Sequence, residues 1–189
     1  GGGVRRGAGA GARAGCRARW AGDGGRGRAR LRSGKWPVCG PGRLAIVLRN
    51  AEAGRLTYTT EIGPSVAGAE VVILAVGTPS SPDGSVDMSW IDAVAEQVGR
   101  SLEGYTVVAT KSTVPVGTSE RITRILRSVS DASFDYVANP EFLKEGAALS
   151  DFQKPDRVII GTDSVRAQKL MRQLYAPFMR RNDRLLFME

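Results

Sequence analysis

Histidine is absent from the 189 residues. That excludes a His-based triad and leaves no imidazole to ligate a metal or carry a proton. Cysteine is nearly absent: Cys16 and Cys39 supply neither a disulfide framework nor metal-ligand spacing. No metal site is expected. Long apolar runs are missing too. None approaches the roughly 20 residues that cross a bilayer, and the N-terminal stretch lacks the apolar core of a signal peptide. The expectation is a cytoplasmic, reducing setting with no membrane partner. Acidic residues are almost missing from residues 1–35, where Asp23 stands against nine Arg and one Lys.

That local imbalance accounts for the net charge of +8, since the rest of the chain holds 17 basic and 18 acidic groups. A basic chain suggests nucleic acid, but here the basicity belongs to the head alone. Trp20 aside, the head's arginines are not interleaved with aromatics, and no nucleic-acid partner is expected. Twelve of the 24 glycines also lie in residues 1–35. Residues 1–33 show no apolar periodicity and cannot bury enough surface to offset their ordering entropy. The spacing Gly9-x-Gly11-x-x-Ala14 imitates a dinucleotide fingerprint but follows no apolar strand, so it is a decoy. The chain divides into this low-complexity head, 1–33, and one domain, 34–189.

From Lys35 the texture changes. A turn-rich stretch, 36–42, leads into a short helix over 44–50, a strand over 56–60 and a second short helix over 64–69. Glu70 to Val76 is a continuous apolar run, as expected for a strand buried on both faces of a parallel sheet. Gly77 to Gly84 is a loop. Asp87 or Ser89 should cap a helix carrying Ile91, Val94, Ala95, Val98 and Leu102 at three- and four-residue steps. The strand 106–110 follows, then a turn at Pro115 and Gly117, and a helix capped by Thr118 or Ser119. Further strands are expected at 135–138, 157–161 and 185–187, with a helix over 165–179 between the last two. Strands alternating with helices give an α/β doubly wound parallel sheet of Rossmann-like type, with its first strand and phosphate turn missing or corrupted.

In a parallel sheet three strand tips fall on one edge and line one crevice. They are Gly77-Thr78-Pro79-Ser80, Lys111-Ser112-Thr113 and Asn139 to Glu145. Gly77 lets a ligand approach the backbone, and the hydroxyls of Ser112 and Thr113 can position a water or a ribose. Pro140 suits a first helical position, so a short helix is expected to start there with Glu141 and Glu145 on one face. Glu141 could then serve as a base.

Three motifs are diagnostic together: L-A-V-G-T-P-S (74–80), K-S-T-V-P-V-G-T (111–118) and N-P-E-F-L-K-E-G (139–146), the last continuing to Gly161. In order and spacing they resemble the UDP-glucose/GDP-mannose dehydrogenase family. The resemblance implies an NAD-dependent enzyme that oxidises a nucleotide sugar, UDP-glucose above all, from alcohol to carboxylate with two NAD molecules. It places Val76, Gly77, Thr78, Pro79, Ser80, Ser112 and Glu145 against NAD. It gives Thr113 the catalytic water and Glu141 the general acid/base role. Glu141, Phe142, Leu143, Lys144 and Glu145 would bind substrate. GDP-mannose and UDP-N-acetyl sugars are the alternative substrates. The family's nucleophilic cysteine, its central helix and its sugar-nucleotide domain would lie past Glu189, so no turnover is expected from this chain alone. A homo-oligomer is expected at full length. Against the family's G-x-G-Y-V-G start, one permissible codon choice for Gly3-Val4-Arg5-Arg6-Gly7, read one base out of frame, spells Gly-Tyr-Val-Gly. The head is therefore read as disordered or frame-shifted.

Overall fold

In the computed structural model, residues 2–6, 16–21, 43–80, 83–144, 146–179 and 184–188 are described. They form one eight-stranded sheet with helices on both faces. The strands are β1 (Gly2–Arg6), β2 (Cys16–Ala21), β3 (Leu56–Thr59), β4 (Val71–Leu74), β5 (Thr106–Thr110), β6 (Phe134–Ala138), β7 (Val158–Gly161) and β8 (Leu185–Met188). Their order across the sheet is β3-β2-β1-β4-β5-β6-β7-β8. The helices are α1 (Arg43–Glu52), α2 (Gly63–Val66), α3 (Ser89–Gly99), α4 (Thr118–Val129), α5 (Ala148–Gln153) and α6 (Val165–Tyr175), with a 3₁₀ turn at Ala176–Phe178.

The apolar runs form strands because each has two buried faces. Val72, Leu74 and Val108 pack with Ile91, Ala95, Val98, Ile122 and Leu126 of α3 and α4. The alternate residues Val71, Val107, Ala109, Val137 and Ile160 pack with Ala167, Met171 and Tyr175 of α6. Successive strand side chains point to opposite faces, so one uninterrupted run feeds both layers. The N-cap of α3 is Met88, with no side-chain cap, so neither Asp87 nor Ser89 caps it; Asp87 Oδ1 accepts the Ser89 N–H at 2.9 Å in a turn just before the helix. At α4 the cap is Gly117, with φ 86°, while Thr118 turns its hydroxyl onto the Pro115 carbonyl.

The sheet departs from the all-parallel expectation in two places. β4, β5 and β6 are parallel, but β7 runs antiparallel to β6 and carries β8 with it. A parallel return needs a crossover that spans the sheet. The only helix between β6 and β7 is α5, six residues long and so about 9 Å. The chain therefore re-enters from the edge it has just left. Gly161 permits the close approach there, since a Cβ on it would lie 3.2 Å from Ala138 Cβ.

The second departure is in the head, which was expected to supply no strand. β2 and β1 lie between β3 and β4, and β1 is antiparallel to both β2 and β4. Ladder hydrogen bonds are made by backbone groups, which every residue there carries and which side-chain periodicity does not report. With Gly2 opposite Ile73 and Val4 opposite Val71, the chain leaves β1 at the edge away from the tips of β4–β6. Residue 1, residues 7–15 and residues 22–42 lie outside the described residues. The decoy glycines, the turn at 36–42 and Cys39 fall among them.

Candidate functional site

The tips of β4, β5 and β6 meet at one edge, as the topology requires. Each is bound to its neighbour. Lys111 N–H donates to the Leu74 carbonyl at 2.8 Å, and Asn139 N–H to the Thr110 carbonyl at 2.9 Å. Ser112 then closes the β4 tip: its hydroxyl accepts the Val76 N–H at 3.0 Å and donates to the Val76 carbonyl at 2.7 Å. The Thr78 hydroxyl returns the contact, donating to the Thr113 carbonyl at 2.9 Å. Val76–Ser80 is therefore clamped to the β5 tip. A Cβ on Gly77 would meet nothing within 4 Å, so the surface above it is open.

The β6 tip is not a helix. Asn139 to Lys144 runs as an irregular loop and helix resumes only at Ala148. Three hydrogen bonds override the Pro140 start signal. The Asn139 side chain is fully buried; its amide donates to the Ile159 carbonyl at 2.9 Å and its Oδ1 accepts from the Tyr175 hydroxyl at 2.6 Å. Lys144 N–H is taken by Asp151 Oδ2 at 3.0 Å from α5. The shared helix face expected for Glu141 and Glu145 is absent, and Glu145 itself lies outside the described residues.

Beneath this loop is a cavity of about 370 Å³. Glu141, Phe142, Leu143 and Lys144 line it, joined by Lys111 from β5 and Tyr175 from α6. Arg157, also on its wall, holds its guanidinium 5.2 Å from the centre of the Phe142 ring. Thr113 is exposed and does not line this cavity. Burial lowers the Lys111 pKa and the Glu141 carboxylate opposes that shift. Burial holds Tyr175 up at about 12, partly countered by its bond to Asn139.

The sequence places Lys111 in the β5 tip but gives it no role of its own, and it does not point to Tyr175. The two residues are 64 positions apart, on a strand tip and a helix end, and no local pattern joins them. Among the described residues no cluster of His, Cys, Asp or Glu could hold a metal, and no helix is long and apolar enough to cross a membrane.

The β4 and β5 tips fit one half of a dinucleotide, with open backbone at Gly77 and hydroxyls on both sides. A turn for the diphosphate would have to follow β1, whose exit lies on the opposite edge.

Fold and site define a Rossmann-like α/β domain with its ligand edge at the tips of β4, β5 and β6. The pattern describing the NAD-binding domain of the UDP-glucose/GDP-mannose dehydrogenase family matches residues 28–179. The chain belongs to that family. It is 48% identical over 170 residues to a UDP-glucose 6-dehydrogenase of Pseudomonas aeruginosa, covering 85% of this chain and 36% of that protein. To a UDP-glucose 6-dehydrogenase of Rhizobium meliloti it is 44% identical over 161 residues, covering 83% and 37%. A solved UDP-glucose dehydrogenase from Pyrobaculum islandicum superposes with a TM-score of 0.84 at 34% identity, over 90% of this chain and 40% of that one. The chain thus spans little more than a third of the length of these curated relatives.

Proposed function

We propose that this domain is the part of an NAD-dependent UDP-glucose 6-dehydrogenase that holds the cofactor and the sugar end of UDP-glucose. The observation that carries the reading is the Ser112 clamp on Val76. It brings a cofactor-type strand tip beside the cavity walled by Glu141 to Lys144. The relatives at 48% and 44% identity supply the substrate. In this reading Val76, Gly77, Thr78, Pro79, Ser80 and Ser112 face NAD, with Glu145 beside them. When bound, NAD accepts hydride from the sugar carbon being oxidised. Glu141 takes and returns protons in the hydrolytic half of the reaction, and Thr113 orients the water. Phe142, Leu143 and Lys144 hold the sugar. The protein is cytoplasmic and homo-oligomeric, with no nucleic-acid or membrane partner.

Calorimetric titration of the chain with UDP-glucose, GDP-mannose and UDP-N-acetylglucosamine, each with NAD present, tests the substrate. Heat of binding is expected from UDP-glucose alone. Equal heat from GDP-mannose would replace this reading with that of the family's other branch.

A further inference from the structure

The cavity beside Glu141 holds more positive charge than its own carboxylates answer. Four cations line it: Lys111, Lys144, Lys154 and Arg157. Of the carboxylates on its wall, Asp151 is engaged by the Lys144 N–H. Asp156 is fully exposed and faces Arg184 at 4.0 Å. Among the described residues the lining thus sets four cations against three carboxylates, and Glu141 is the one that acts on Lys111.

Lys111 differs from the other three cations because it is partly buried while they are exposed. An ammonium has three donors. One of them reaches the Tyr175 hydroxyl at 3.4 Å. The tyrosine's own proton is committed to Asn139 Oδ1 at 2.6 Å, so its oxygen meets Lys111 as an acceptor. Asn139 is in turn fixed to β7 through the Ile159 carbonyl. No carboxylate of the described residues comes within ion-pair distance of Nζ. A sheltered ammonium whose one hydrogen-bond partner is neutral, with Glu141 acting on it only through space, is incompletely compensated for its lost hydration. Burial accordingly lowers its pKa.

We propose that Lys111 is a ligand-contacting residue that pairs with the carboxylate formed at the oxidised sugar carbon, Tyr175 and Asn139 being the positioning residues that hold its ammonium there. The proposal rests on the reading of Glu141 given above. The oxidised carbon must lie where the cofactor tips and the β6 loop meet, close to the residue that manages hydrolysis. Lys111 is the side chain of the β5 tip that enters the β6 cavity. The phosphates of a sugar nucleotide are a ring's width away from that carbon. Substrate offers the Lys111 ammonium a neutral hydroxyl, whereas product offers it an oppositely charged carboxylate.

The expected result is that the chain binds UDP-glucuronate about tenfold more tightly than UDP-glucose, the scale of one charge-assisted hydrogen bond. Lys111→Met should bring that ratio to about one, and Lys111→Arg should restore part of it. With only five lysines, the Nζ resonance of each can be followed by lysine-selective NMR. Lys111 should move with UDP-glucuronate and stay still with UDP-glucose or UDP. In Tyr175→Phe its Nζ resonance and titration should shift in the free protein, which a purely structural role of the tyrosine would not produce. Equal movement with all three ligands would assign Lys111 to phosphate and overturn the proposal. If the Phe142 to Lys144 amides respond while Lys111 does not, the proposal fails and the cavity remains the sugar site. If neither responds, both readings fall.

Discussion

Asn139 and Tyr175 hold the β6 tip by two hydrogen bonds in a fully dry setting, and the consequence shows at high pH. Tyr175 is held up at about 12 by burial, and Tyr105 also at about 12 by burial and by the Asp135 carboxylate that its hydroxyl faces at 2.5 Å. Tyrosine in an unfolded chain ionises near pH 10. Between those values the unfolded state has released protons that the folded state keeps. The stability these two groups contribute is thus complete below about pH 10 and is lost as pH rises toward 12. Burial raises Tyr58 and Tyr136 as well, so tyrosinate absorbance should show Tyr105 and Tyr175 ionising last of the four, together with the loss of native structure. Tyr105→Phe and Tyr175→Phe should each remove one late step. Ionisation of all four together near pH 10 in the folded protein would contradict the burial.

At the scale of elements, β4 and β5 behave as one unit because Ser112 spans both sides of the Val76 peptide. Ser112→Ala removes one acceptor and one donor, and should cost about 1 kcal/mol of stability by the usual worth of such bonds. Amide exchange at Val76 should accelerate far more than at buried Val72, and NAD affinity should fall with it. Unchanged exchange at Val76 would show that the tip is held by something else. The three tips were legible as one edge of the sheet because glycine, proline and hydroxyl residues interrupt apolar runs there, but the cavity is lined by Lys111 and the β6 loop and not by the β4 tip. The loop after Asn139 was not legible as a loop. Proline and glutamate propose a helix locally, and the contacts that forbid it come from Ile159, Tyr175 and Asp151. Strand direction was hidden for a similar reason, since an apolar run reads the same whichever way it enters the sheet.

For the whole molecule the decisive feature is β1, reversed between β2 and β4. A dinucleotide fold places its diphosphate on the turn after the first strand, at the N-terminus of the next helix. With β1 leaving from the far edge, that contact is lost, and NAD should bind this chain with a Kd no tighter than about 1 mM. Calorimetry gives the value directly, and micromolar binding would mean that the cofactor is held without the turn. We propose that the head, residues 1–33, is a frame-shifted reading of an ordinary nucleotide-binding start, while 34–189 is the domain proper. Resequencing the DNA for residues 1–30 decides it, an intact single frame being the contrary result. The two ends of the sheet carry a different consequence. Among the described residues β3 and β8 each have one side without a neighbouring strand, and β8 also presents Leu186 and Met188 to solvent, 48% and 54% exposed. Such an edge is a template for strand addition between molecules. At high concentration this chain is therefore expected to self-associate through the β8 edge.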